Sequence, residues 1–213
     1  MTASRLSELF LVFTSVLFIV DPFAVIPSFL AMTAKDDAAT RRLMARRGAI
    51  TVAIVLVVFA LSGSLIFKLF GITIGAFKIA GGILIGLGAL DMVQAQRSAQ
   101  KETPLETAEG IERQDVGILP LGIPMLAGPG AISTVMVLAG QATTPVQVLT
   151  VYAAILLTAF ISYHTLAAAT FVERRLGVTG MRILTRLMGL VLCAIAVQFI
   201  VDGLKMSGIV ARP

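Results

Sequence analysis

Long apolar runs alternate with shorter polar stretches along this sequence. Six of the runs reach about the 20 residues that an α-helix needs to cross the hydrocarbon core of a bilayer. They cover residues 8–32, 48–69, 72–93, 117–140, 147–170 and 182–204. The pattern predicts an all-α integral membrane protein with six transmembrane helices, forming a single membrane domain over residues 1–213.

The composition points to the same class of protein. Hydrophobic residues make up 57% of the chain and charged residues 14%, against about 45–50% and about 25% in soluble domains. The net charge of +5 does not indicate a nucleic acid partner, because the basic residues lie in short loops between apolar runs. The single cysteine, Cys193, excludes an intrachain disulfide and a zinc site built on paired cysteines. We expect no metal and no cofactor.

Lysine and arginine are distributed unevenly between the two sides of the predicted membrane. With the amino terminus outside the cytoplasm, 12 of the 17 basic residues fall on the inner side. The positive-inside rule therefore places both termini outside the cytoplasm. The one long polar stretch, residues 94–116, becomes a cytoplasmic linker between two groups of three spans.

The two halves of the chain resemble each other weakly. A shift of 107 residues places DPFAVI (21–26) on GPGAIS (128–133) and Gly82 on Gly189. Each half has three spans, an odd number, so the two copies would cross the membrane in opposite directions. Such a 3+3 inverted-topology repeat is typical of secondary transporters. The two halves would be residues 1–93 and 117–213.

Each half interrupts its first span with proline. In the first span, Asp21 would be the N-cap and Pro22 the first residue of a helix that restarts inside the bilayer. In the fourth span, Gly128 would be the cap and Pro129 would lie in the first turn. Irregular backbone at that depth is tolerated only where protein buries it or where it lines a cavity. We therefore expect interrupted first and fourth helices, with two helix N-termini meeting near the midplane.

The two caps differ chemically, and the difference suggests a site for a zwitterion. The amides around 128–131 would bind its carboxylate, because helix N-termini attract anions, and its ammonium would approach Asp21. The alternative is that Asp21 is a satisfied structural cap and that both motifs are only kinks. The candidate substrate-binding residues are Asp21, Pro22, Phe23, Ala24, Pro27, Gly128, Pro129, Gly130, Ala131, Ser133 and Thr134.

Other polar or small residues in the spans have both a functional and a structural interpretation. Ser133 and Thr134 would offer hydroxyls to a ligand, although hydroxyls in helices often bond to their own backbone. His164 is a candidate proton relay together with Asp21, or else a packed histidine. Gly82 and Gly86 have the small-xxx-small spacing of close helix packing.

The spans contain none of the motifs that would indicate an enzyme. We find no Gly-rich phosphate loop, no HExxH, no paired haem histidines and no Ser/His/Asp arrangement. An enzyme is therefore disfavoured. The sequence predicts a secondary transporter or exporter of a small solute, and two alternatives stay open: a channel or exporter for a different small solute, and a membrane scaffold that transports nothing.

Three motifs carry a family resemblance: DPFAVIPSFLAMT in the first span, PLGIPMLAGPGAIST in the fourth and RLMGLVLCAIAVQFIVDG in the sixth. They resemble the MarC family of bacterial inner-membrane proteins, also called the small neutral amino acid transporter family, over essentially the whole chain. The resemblance implies six spans, periplasmic termini, and transport of amino acids such as glycine and alanine. It implies coupling to an H⁺ or Na⁺ gradient, and an oligomer is compatible with it.

The first break departs from the family pattern. Many relatives read Asp-Pro-x-Gly-Asn-x-Pro, whereas Ala24 and Val25 stand here at the Gly and Asn positions. Asp21, Pro22 and Pro27 carry over, and the role of the Asn side chain does not. The resemblance therefore leaves the specificity of this chain open.

Overall fold

The structure, a computed structural model, describes residues 3–94 and 117–209. The predicted linker, except Gln94, lies outside the described residues. The helices are α1 (Ala3–Val20), α2 (Ile26–Met32), α3 (Ala38–Phe70), α4 (Ile74–Val93), α5 (Gly117–Leu126), α6 (Pro129–Gln141), α7 (Pro145–Ala167) and α8 (Ala169–Met206). No strand occurs in the described ranges, which confirms the all-α prediction.

Four helical segments are long and apolar enough to cross a membrane: α3, α4, α7 and the Thr179–Met206 part of α8. The pair of α5 and α6, bent by 64° between them, adds a fifth if it is counted as one broken span. The apolar part of α1, Leu9–Val20, is shorter. The prediction of a multi-pass integral membrane protein is confirmed by these helices.

The second predicted span begins earlier than expected, because α3 starts at Ala38 rather than near residue 48. Its 33 residues correspond to about 50 Å of helix, against about 30 Å for the hydrocarbon core. The first turns of α3, which carry Arg41, Arg42, Arg46 and Arg47, therefore extend beyond the apolar layer.

The N-termini of α3 and α7 have equivalent caps. The Asp37 side chain accepts a hydrogen bond from the Thr40 N–H at 2.7 Å, and the Thr144 hydroxyl accepts one from the Gln147 N–H at 3.3 Å. Such side-chain acceptors satisfy amides that the first turn leaves unpaired. Asp37 and Thr144 are 107 residues apart, so both helices begin at the same place under the shift found in the sequence.

The last helix is longer than the predicted sixth span. α8 already begins at Ala169, and the basic residues Arg174 and Arg175, which were expected in a loop, are helical. Gly177 then interrupts the helix with a φ of 64°, a left-handed conformation that glycine adopts without a steric penalty. The break separates a short basic segment from the apolar segment that follows.

α4 and α8 pack antiparallel through glycines. A β-carbon on Gly82 would lie 2.7 Å from the Ala196 carbonyl oxygen, and one on Gly189 would lie 2.9 Å from the Ala89 carbonyl oxygen. The shift of 107 residues relates Gly82 to Gly189 and Ala89 to Ala196. It therefore converts each of these two contacts into the other. The glycines are therefore required by backbone-to-backbone contact, and the packing interpretation of Gly82 is confirmed.

The remaining helices also pack across the two halves. α3 lies against α5 and α6, while α7 lies against α1. The second predicted span of each group of three thus packs against the interrupted helix of the other group, and α3 and α7 also contact each other. This packing between the two halves brings both interruptions into the interior of the molecule.

Candidate functional site

The first interruption centres on Asp21, whose side chain is buried with 2% of its surface exposed. Its N–H still donates to the Leu17 carbonyl at 2.9 Å, which closes the last turn of α1. Its own φ of 45° is left-handed, so the chain leaves the helix axis there. Its Oδ1 accepts the Ala24 N–H at 3.2 Å, which holds the turn formed by residues 22–25.

The expectation that a helix begins at Asp21 with Pro22 in its first position is wrong in register. Regular helix resumes only at Ile26, with Val25 at the cap position and Pro27 in the first turn. The physical reason is the left-handed backbone of Asp21, which starts a turn before a helix can form. Asp21 does make a capping hydrogen bond, but it caps this turn.

The second interruption matches the prediction. Gly128 is the N-cap of α6, with extended backbone angles, and Pro129 takes the first helical position. The Gly128 carbonyl accepts the first helical bond, from the Ile132 N–H at 3.0 Å. The N–H groups of Gly130 and Ala131 therefore lie in the first turn, where the helix offers them no carbonyl.

The segment before this cap, α5, is irregular because of its prolines. Pro120 and Pro124 lie inside it, and the residues before them, Leu119 and Ile123, have extended backbone angles. A residue preceding proline is pushed out of the helical region by contact with the proline ring. The chain therefore enters the second interruption as a loosely wound segment rather than as a straight helix.

The two interruptions lie next to each other. A β-carbon on Gly130 would lie 3.5 Å from Ile19 Cγ2 and 2.9 Å from Ile85 Cγ1. Ile19 precedes Asp21 by two residues, so the end of α1 touches the start of α6. Glycine at position 130 allows this approach, because any side chain there would meet Ile85.

A small cavity of about 40 Å³ opens beside this contact. Four of the predicted substrate-binding residues line it: Gly128, Pro129, Gly130 and Ala131. The rest of its wall is apolar and comes from α1, α4, α5 and α8, through Ile19, Leu84, Ile85, Gly88, Ala89, Met92, Met125 and Leu192. A cavity of this volume holds roughly three water molecules, so it is too small for an amino acid in this conformation.

The other predicted residues lie outside this lining. Pro22 is buried, whereas Phe23 and Pro27 are exposed and Ala24 is half-buried. Asp21 lies two residues beyond Ile19, which does line the cavity. The structure thus brings the amide side of the site and the end of α1 together, with the Asp21 side chain in the adjoining turn.

Ser133 and Thr134 are fully buried and bond to their own helix. Ser133 Oγ donates to the Gly130 carbonyl at 3.0 Å, and Thr134 Oγ1 donates to the same oxygen at 2.8 Å. Ser133 also packs on α4, since a β-carbon on Gly81 would lie 2.7 Å from its Oγ. Both hydroxyls therefore fix the first turn of α6, the turn that presents the amides.

His164 lies apart from the cavity. It is exposed on α7, where it lines a separate groove against α3 together with Arg46 and Tyr163. Its ring contacts Phe160 with centroids 4.4 Å apart and Tyr163 with centroids 4.9 Å apart. No described contact joins His164 to Asp21.

The apolar wall of the cavity was missed by the sequence analysis. Ile19, Met92, Met125 and Leu192 carry no signal that separates them from other apolar residues in the spans. Gly88 follows Gly82 and Gly86, whose spacing indicated packing but did not indicate a cavity. Only the packing of α4 and α8 against the two interruptions identifies these residues.

Comparison with known proteins gives consistent matches. A model of MarC family integral membrane proteins matches residues 6–207. The chain is 43% identical over 195 residues to the UPF0056 membrane protein MJ1677 of Methanocaldococcus jannaschii, covering 92% of this chain and 95% of that relative. It is 38% identical over 193 residues to a UPF0056 membrane protein of Aquifex aeolicus, covering 91% and 90%. It is 36% identical over 187 residues to the UPF0056 membrane protein YhcE of Escherichia coli, covering 88% and 87%. No solved structure matches this chain.

Proposed function

This chain belongs to the MarC family of integral membrane proteins, and from that premise we propose that it is a secondary transporter of small neutral amino acids such as glycine and alanine. One observation carries the proposal: two interrupted helices from different halves of the chain meet beside one cavity, at the contact between Ile19 and Gly130. Interrupted helices of this kind supply the substrate sites of many transporters.

The two ends of a zwitterion would bind to different interruptions. The N–H groups of Gly130 and Ala131 would receive the carboxylate, because the start of a helix combines free donors with a partial positive charge. Asp21 would approach the ammonium after the adjoining turn moves. The buried position of Asp21 and its left-handed backbone support this role, since a carboxylate inside a membrane protein is costly and such residues mark functional sites.

The walls of the cavity would select the side chain of the substrate. Met92, Met125 and Leu192 offer apolar surface, which suits hydrogen or a methyl group and disfavours a charged side chain, because an unpaired charge there would lose its hydration. The cavity of about 40 Å³ must also become larger to admit even glycine. Binding therefore requires a conformational change, as alternating access demands.

The proposed architecture is six spans arranged as a 3+3 inverted repeat, with halves about 1–93 and 117–213. Three observations support it: the antiparallel contact of α4 with α8, the exchanged contacts of Gly82 and Gly189, and the equivalent caps of α3 and α7. Leu9–Val20 and α2 together span about 28 Å of helix, enough for a sixth, broken crossing. Each half would then rock against the other around the fixed site.

The proposed location is the inner membrane, with both termini periplasmic and the linker in the cytoplasm. The position of the arginines at the first turns of α3 and of α8 supports this orientation. Transport would be coupled to an H⁺ or Na⁺ gradient, with Asp21 as the group that takes the ion.

Cysteine labelling tests the proposed orientation, because Cys193 is the one cysteine. In a Cys193→Ala background, single cysteines placed at residues 2 and 212 should react with a thiol reagent added from the periplasmic side.

A ligand-binding screen tests the substrate class directly. A ligand that binds the folded state raises its apparent melting temperature. In detergent, glycine and alanine should raise the melting temperature of the protein in a saturable manner, whereas lysine and glutamate should not. A shift of equal size with all four amino acids would contradict a site that selects small neutral side chains.

A further inference from the structure

A second and larger concavity lies between α3 and α7. Its volume is about 500 Å³, within the range of small-molecule sites. Three polar side chains, those of Arg46, Tyr163 and His164, line one part of it, and Ile50 and Phe160 line an apolar part. We refer to it as the α3–α7 groove. None of its residues lines the cavity at the helix interruptions.

The polar part of the groove holds hydrogen-bond donors that no described residue engages. Within residues 3–94 and 117–209, neither the Arg46 guanidinium, the Tyr163 hydroxyl nor the His164 ring has a hydrogen-bond or ion-pair partner. The His164 ring is held by edge contacts with Phe160 and Tyr163. The groove therefore presents a cluster of donors around one permanent positive charge, and its lining contains no carboxylate.

The apolar part of the groove opens onto the face of the protein that the bilayer covers. Phe160 is 60% exposed and Ile50 is 47% exposed, and both continue rows of exposed apolar side chains. On α3 this row, spaced three or four residues apart, comprises Ile50, Ile54, Val58, Leu61, Leu65 and Leu69. Such a one-sided stripe on a spanning helix faces lipid. The small side chains of Ala53 and Ala159 line the groove between the two helices and leave space there.

The polar part lies where lipid headgroups are found. Arg46 is in the third turn of a helix that extends beyond the hydrocarbon core, on the side where Arg41, Arg42 and Arg47 cluster. The positive-inside rule makes this the cytoplasmic side. Basic pockets between spanning helices on that side attract the anionic lipids of the inner leaflet.

We propose that the α3–α7 groove binds one anionic phospholipid of the cytoplasmic leaflet, such as phosphatidylglycerol. The phosphate would accept hydrogen bonds from Arg46, a side chain whose planar fork suits phosphate oxygens, and from Tyr163 and His164. An acyl chain would lie along Ile50 and Phe160. The occupant is a lipid rather than a soluble anion because the basic part of the groove adjoins an apolar part on the bilayer face, at Ile50 and Phe160, and a phospholipid has a headgroup for the first and an acyl chain for the second. This inference is independent of the transported substrate.

Native mass spectrometry of the full-length protein tests this site. Purified protein in detergent is mixed with equal amounts of phosphatidylglycerol and phosphatidylcholine, and the bound lipids are counted. We expect wild-type protein to retain one phosphatidylglycerol in preference to phosphatidylcholine. Arg46→Gln should weaken that binding by about tenfold, since a hydrogen bond to a charged group is lost. Arg42→Gln, which removes the same charge one turn away and outside the groove, should leave the binding unchanged.

A second pair of variants tests the shape of the groove without changing charge. Ala53→Leu should fill the groove and lower phosphatidylglycerol binding, whereas Ile54→Leu on the adjacent lipid face should not. Melting temperatures identify any variant that fails to fold. Equal binding by Arg46→Gln and Arg42→Gln, or no preference for phosphatidylglycerol, would overturn the proposal. Displacement of the lipid by inorganic phosphate would also overturn it, because the occupant would then be a soluble anion. A dimer that Ala53→Leu disrupts would overturn it as well, because the occupant would then be a second copy of the protein.

Discussion

Gly130, at the start of α6, packs against Ile19, at the end of α1, so closely that a β-carbon on Gly130 would lie 3.5 Å from Ile19 Cγ2. This contact joins the two helix interruptions, which are separated by more than 100 residues in the sequence. It also places the donors of one interruption beside the end of α1, two residues before the carboxylate of the other. The proposed transport site depends on this juxtaposition.

Asp21→Asn should abolish amino acid transport without preventing folding. The Asn side chain still offers an oxygen to the Ala24 N–H, and Asn tolerates the left-handed backbone that Asp21 adopts. Only the charge is removed. Uptake into proteoliposomes measures transport and the melting temperature measures folding. Asp21→Ala is the comparison, and it should lower stability by about 1 kcal/mol because it loses the capping bond. Transport by Asp21→Asn at the wild-type rate would remove the carboxylate from the mechanism.

Gly130→Ala should reduce glycine transport by about tenfold, equivalent to roughly 1.4 kcal/mol of binding free energy. The added methyl group would lie 2.9 Å from Ile85 Cγ1 and would occupy part of the small cavity. Ile85 is buried and branched at its β-carbon, so it must shift to make room, and the melting temperature shows whether the variant still folds. Gly140→Ala, at the far end of α6 and away from the cavity, serves as the matched control and should transport normally. Equal transport by the two variants would show that the cavity is not the site.

Gly82→Ala should lower the free energy of unfolding by about 1–3 kcal/mol, the usual cost of overpacking. Its β-carbon would meet the Ala196 carbonyl oxygen at 2.7 Å, and backbone cannot move aside without separating α4 from α8. Gly86→Ala, one turn later, would meet only the Ala196 side chain at 3.5 Å and should be neutral or slightly stabilising. Denaturant unfolding in detergent compares the two. A Gly86→Ala variant that is as unstable as Gly82→Ala would argue against this packing.

The α4–α8 interface also holds an ion pair, between Lys78 Nζ and Asp202 Oδ2 at 3.0 Å. The Lys78 side chain is 11% exposed and the Asp202 side chain is 35% exposed. Asp202 also accepts a hydrogen bond from Gln198 at 2.7 Å. Removing the acid therefore leaves the more buried charge without its ion-pair partner.

Asp202→Asn should accordingly destabilise the protein more than Lys78→Met, by roughly 1–3 kcal/mol against less than about 1 kcal/mol. These values lie below those for fully buried pairs because Asp202 is partly exposed. Unfolding of both single variants and of the double variant measures the difference. The opposite order would mean that Asp202, rather than Lys78, is the poorly solvated partner.

Much of the fold could be predicted from the sequence, because a helix that crosses a bilayer needs about 20 apolar residues. Apolar length identified the spans formed by α3, α4 and α7, and the glycine spacing at Gly82 and Gly86 indicated the packing of α4. The capping chemistry of Gly128 and Pro129 also predicted the start of α6 correctly. In each case a local pattern decides the structure.

Features that depend on tertiary contacts did not follow from the sequence. The left-handed backbone at Asp21 shifted the helix restart to Ile26, and neither the residue type nor its neighbours specify that conformation. The apolar wall of the cavity uses residues such as Met125 that look like any other residue of a span. The separation of His164 from the cavity likewise depends on which face of α7 meets α3.

The most direct test of the central claim is counterflow in proteoliposomes. Vesicles containing the protein are loaded with unlabelled alanine, and the entry of labelled alanine is followed without any ion gradient. A carrier with alternating access exchanges the two pools, so labelled alanine should accumulate transiently in wild-type vesicles and not in Asp21→Asn vesicles. Entry no faster than in protein-free vesicles, with the protein folded and inserted, would contradict the account, and equilibration without accumulation would indicate a channel.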